Sequence, residues 1–141
     1  MTKKITLLVL IVALFTITGC KKDKVNEKEN SNAIVGKWTA TSIWEISYEN
    51  GKEVARDDDS QENLLIEFKS DGTGISQAEG ESATFTYTIK DGQLLFKMED
   101  EIDKYKITSL TNSELELHQE ESETIAGIIY KDVLEIKLKK R

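Results

Sequence analysis

The stretch GKWTATSIWEISYENG, residues 36–51, decides the fold. In an extended chain Trp38, Ala40, Ser42, Trp44, Ile46 and Tyr48 fall on one side, with Lys37, Thr39, Thr41, Glu45 and Ser47 opposite. That period of two belongs to a half-buried β-strand. Ile43 alone is out of phase. Asn50-Gly51 then supplies a tight turn, because both residue types tolerate positive φ.

Working outward, the same alternation returns at Leu64, Ile66 and Phe68; at Ala83, Phe85, Tyr87 and Ile89; and at Leu94, Phe96 and Met98. It continues through Tyr105 and Ile107, Leu115 and Leu117, and Leu134, Ile136 and Leu138, and a weaker segment covers residues 73–78. Asp71-Gly72, Asp91-Gly92 and Thr111-Asn112-Ser113 join neighbours, and the chain has no proline to interrupt a ladder. Eight locally joined strands with one apolar face predict an all-β fold, an eight-stranded antiparallel up-and-down barrel, since closure removes the exposed edges.

Gly36-Lys37-Trp38, together with FKSDGTG, YTIKDGQLLF, YKITSLTNSELEL and LEIKLKK, resembles the small lipocalin-like domains of bacterial lipoproteins over about Ile34 to Lys139. The resemblance implies that Trp38 packs at the closed end of the barrel beneath a basic side chain of the last strand, with Lys137, Lys139 or Arg141 as candidates. The Thr-Asp-Tyr turn of lipocalins is absent. The resemblance also implies that the loop-rich end is the open mouth. Sorting the connections by strand direction gives that end Glu49 to Glu62, Glu79 to Ser82, Glu99 to Ile102 and Gln119 to Lys131, which collect most of the acidic residues.

At the N-terminus, Lys3 and Lys4 precede an apolar run, residues 5–18, shorter than the roughly 20 residues of a spanning helix. A core helix would need polar positions at helical spacing along one face, and no such row precedes Gly19. Ile17-Thr18-Gly19-Cys20 resembles a lipobox, in which the cysteine is acylated, with palmitate-type chains, and becomes the mature N-terminus. Two or three acyl chains give stable anchoring where one gives marginal binding. The expected organisation is thus a signal peptide at 1–19, the lipidated Cys20 with a flexible polar tether at 20–32, and a barrel domain at 33–141. The expected location is the bacterial cell envelope, at the outer membrane, on its periplasmic or surface face.

Loss of Lys3 and Lys4 with the signal takes the formal charge from −7 to −9. An acidic protein does not suit nucleic acid, which needs a basic face. With Cys20 acylated no thiol is left for a disulfide, nucleophile or metal. His118, the single histidine, has no motif around it and reads as an outward or rim residue. Asp57, Asp59 and Glu62 offer oxygens to a hard cation but lack the spacing of a calcium loop, and read as solvated. No enzyme triad and no cofactor motif is legible, so the chain is expected not to be a catalyst.

The candidate binding residues are Trp44, Ile46, Tyr48, Leu64, Phe85, Met98, Tyr105 and Leu117, which strand direction would place in the upper interior. They form either a cup or ordinary core, since eight strands enclose a space that side chains fill or that holds one small ligand. The acidic rim favours a neutral or cationic apolar ligand over a fatty carboxylate. The alternative is a filled barrel whose acidic loops contact an envelope protein. The apolar stretch 125–130 is either a strand extension or a hydrophobic lip. A monomer is expected.

Overall fold

The alternation of residues 36–49 is realised as one strand of 14 residues, held on both edges. The computed structural model describes residues 27–60 and 63–141. The expected signal peptide, Cys20, the first part of the tether and the candidate Glu62 lie outside them. A helix α1 (Glu27–Ile34) leads into β1 (Gly36–Glu49), β2 (Lys52–Asp58), β3 (Leu65–Phe68), β4 (Thr73–Ala78) and β5 (Glu81–Lys90). Then come β6 (Gln93–Met98), β7 (Glu101–Leu110), β8 (Glu114–Ile125) and β9 (Ile128–Lys140). Neighbours pair antiparallel in the order β2-β1-β3-β4-β5-β6-β7-β8-β9, and β1 also pairs with β9. The expected eight strands are present and close into a ring, with β2 as an additional strand.

β2 corrects the long loop expected between Glu49 and Glu62. Lys52 to Asp58 folds back along the upper half of β1, pairing Glu49 with Lys52 and Trp44 with Asp58, while β3 takes the lower half, pairing Gly36 with Phe68. The strand is exposed throughout, so it carries no apolar alternation to announce it. The stretch expected as a loop from Gln119 to Lys131 is likewise a hairpin, in register from Glu114–Lys139 to Ile125–Ile128 and turned by Ala126-Gly127, both at positive φ. The acidic residues of the upper end therefore ride largely on strands.

Inward residues of the lower half interlock as rings and branched chains. Phe68 meets Phe85, Tyr87 and Phe96 edge-on at centroid distances of 5.6, 5.0 and 5.7 Å, and Phe85 lies 4.2 Å from Phe96. Leu94, Leu115 and Leu138 complete this core. Gly74 is required beside it, because a Cβ there would run into the Phe85 ring and the Glu67 carbonyl oxygen. Packing of this density is what makes loss of a ring expensive.

The closed end is stoppered by α1, whose residues 27–32 correct the expectation of an irregular tether there. Ile34 and Trp38 are completely buried. The Trp38 indole donates to the Ile34 carbonyl at 2.7 Å. The basic side chain over the Trp38 ring is Lys140, 5.1 Å from its centroid, which also donates to the Ala33 carbonyl at 2.9 Å. It takes the place expected of Lys137, Lys139 or Arg141 because it stands opposite Trp38 in the β1/β9 ladder. Arg141 instead donates from Nε to the Thr39 hydroxyl at 2.9 Å.

Candidate functional site

One extra residue in β1 determines what lines the upper interior. Against β9, Ala40 pairs with Leu138 and Ser42 with Lys137, so Thr41 is a β-bulge. A bulge shifts alternation by one, and a shift of one sends every later side chain to the other face. Ile43 consequently joins the core opposite Ile136, and Glu45 and Ser47 follow it inward. Ile43 was out of phase in the sequence because the bulge had not been counted.

The same bulge corrects the expected position of Trp44, Ile46 and Tyr48, which turn to the outer face. Lys131 caps Tyr48 there at 4.7 Å and Arg56 caps Trp44 at 5.5 Å. Arg56 is also held by Glu53 through two bonds of 2.9 and 3.0 Å, which keeps the Glu53 carboxyl below its ordinary range. Ile46 and its partner Val133 are buried on this outer face, apart from the main core. Stems of long cationic side chains commonly provide such cover.

Of the other candidate binding residues, Phe85 and Leu117 are buried in the core, and Leu64 and Tyr105 pack against it. Met98 is 38% exposed. The apolar set therefore does not come together as one cup. His118 faces outward between Glu120 and Glu135, at 3.7 and 3.9 Å. Asp57 is exposed in β2, and Asp58 beside it accepts from the Ser60 amide at 2.9 Å. Among the described residues no group of three His, Cys, Asp or Glu is arranged to hold a metal ion.

The bulge and the strand lengths together create a cleft. The ring of ladders is complete only in the lower half. The β7/β8 ladder stops at Lys106–His118, although β7 begins at Glu101 and β8 runs on to Ile125. On the far side β2 makes no ladder with β4. The upper end is thus two flaps, β2-β1-β9-β8 and β4-β5-β6-β7. At the β7/β8 seam lies a cleft of about 370 Å³. Glu45, Asp103, Glu121 and Asp132 line it with Ser47, Gln119, Leu134 and the intervening strand residues Ile46 and Val133, and no lysine or arginine is among its walls.

Within the cleft the Ser47 hydroxyl donates to the Asp132 carboxylate at 2.7 Å. Tyr105 lies beneath; burial, with Asp103 and Glu121 nearby, pushes its phenol above the ordinary range. Such a wall attracts cations and repels anions before any contact forms. The acidic excess of this end is legible in the sequence but the cleft is not: Glu45 becomes an inward residue only once the bulge is counted, whereas Asp132 is already in phase with Leu134, Ile136 and Leu138. A family model described as a lipocalin-like domain matches residues 34–117. No curated protein and no solved structure matches the chain.

Proposed function

Because this chain belongs to the lipocalin-like domain family, we propose that it is a non-catalytic ligand-binding module that takes a cationic ligand at its split upper end. The supporting observation is the seam cleft, walled by Glu45, Asp103, Glu121 and Asp132 without a cation among them. The lower interior is already occupied by Phe68, Phe85 and Phe96, so the apolar part of the earlier expectation gives way to a polar, amine-bearing ligand. In this reading Cys20 carries the lipid that holds the module at the cell envelope. The chain enters the barrel at the closed end through α1, so the cleft faces away from the membrane.

Calorimetry of the detergent-purified protein with spermidine and with dodecanoate tests the ligand class. Spermidine should bind in a salt-sensitive manner, and Glu45→Gln with Asp132→Asn should weaken it about tenfold or more. Dodecanoate binding as tightly, or spermidine not binding, would refute the assignment. For the anchor, Cys20→Ser should move the protein out of the detergent phase; acyl label still entering that variant would remove it. The filled lower barrel also favours a second reading, in which the acidic upper end contacts a basic envelope protein.

A further inference from the structure

The seam between β7 and β8 is bounded by two strand edges as well as by carboxylates. β7 from Glu101 to Tyr105 pairs with β6 on one side and makes no ladder with β8 on the other. β8 from Gln119 to Ile125 pairs with β9 and likewise has no strand on its outer side. Backbone donors and acceptors along such edges are a template for another strand. The barrel is thus left unzipped where its ring of ladders should finish.

We propose that the cationic ligand of this cleft is an extended peptide segment that adds to the free edge of β8 and completes the barrel wall. The inference rests on the cleft being a binding site, and it names what binds there. Two independent features specify the occupant. The unpaired edge asks for a backbone, which a small amine cannot supply. The inward carboxylates Asp103, Glu121, Glu45 and Asp132 ask for positive charge. Since side chains on a strand alternate, only every second residue of the guest faces them. The segment recognised therefore carries lysine or arginine at alternate positions, with neutral residues between.

The test compares three probes by calorimetry on the detergent-purified protein: acetyl-Lys-Thr-Lys-Val-Lys-Thr-Lys-amide, the same peptide with proline for valine, and spermidine. Proline keeps the charge and removes a backbone donor. The valine peptide should bind about tenfold tighter than the other two. It should also slow hydrogen exchange of amides between Gln119 and Glu123. Glu121→Lys with Asp103→Lys should abolish its binding while leaving the urea midpoint within the range of surface substitutions. Equal binding of all three probes, without new protection on β8, overturns strand addition and leaves the cation-binding reading standing. Spermidine binding with no binding of either peptide has the same result. No binding by any probe overturns both.

Discussion

Trp38, Phe85 and Trp44 are large rings in three different surroundings, and the differences set what each is worth. Trp38 is sealed beneath Lys140 and bonded to Ile34. Phe85 touches three other rings. Either changed to alanine should cost roughly 3 to 5 kcal/mol in urea unfolding. Trp44 sits on the outer face under Arg56, and its loss should cost only about 1 kcal/mol. A Phe85→Ala variant as mild as Trp44→Ala would mean that the lower barrel is not packed as described. Tyr105 gives a pH signature. Burial raises its folded value above the ordinary 10.0, so the contribution is intact below that pH and is lost as pH rises through the folded value. Stability should therefore decline at alkaline pH, and Tyr105→Phe should flatten the decline.

Among the elements, β1 and β2 show what could and could not be read in advance. Seven of the eight ring strands were legible because each carries an apolar row toward the lower core, whereas β4, with Gly74 and Ser76 on that face, gave only a weak signal. β2 gave none, because Lys52 to Asp58 is exposed on both faces and its sequence has no period to detect. The helical residues 27–32 were hidden in the same way, being polar, while the part that ties α1 down, Ile34, lies at its end. In β1 the single out-of-phase Ile43 was the trace of the bulge, and reading it so would have moved Glu45 and Ser47 inward at once. Chain length, not side-chain chemistry, is what matters at Thr41. Thr41→Ala removes one exposed hydroxyl bond to the Lys137 carbonyl and should cost under about 1 kcal/mol. Deleting Thr41 forces one half of β1 to show its wrong face to the core, and should cost about 3 kcal/mol or more. Equal urea midpoints for the two variants would refute the role given to the bulge.

For the molecule as a whole, the closed lower ring and the split upper end should unfold with different ease. Amides of β2 and of β8 beyond His118 depend on single ladders, whereas those beside Phe68, Leu94 and Leu115 lie in the closed core. Hydrogen exchange read by mass spectrometry should show the upper segments opening by local fluctuation and the lower ring only by global unfolding. Uniform protection from end to end would contradict the two-flap architecture. The double pairing of β1 has a mechanical meaning as well. A load applied at the upper end and resisted through α1 pulls along β1. That strand is bonded to β2 and β3 on one edge and to β9 on the other along nearly its whole length. Force in that direction shears many hydrogen bonds at once instead of peeling them singly, so the barrel resists tension along the axis between tether and cleft and yields more readily to a sideways pull on the β8/β9 tip.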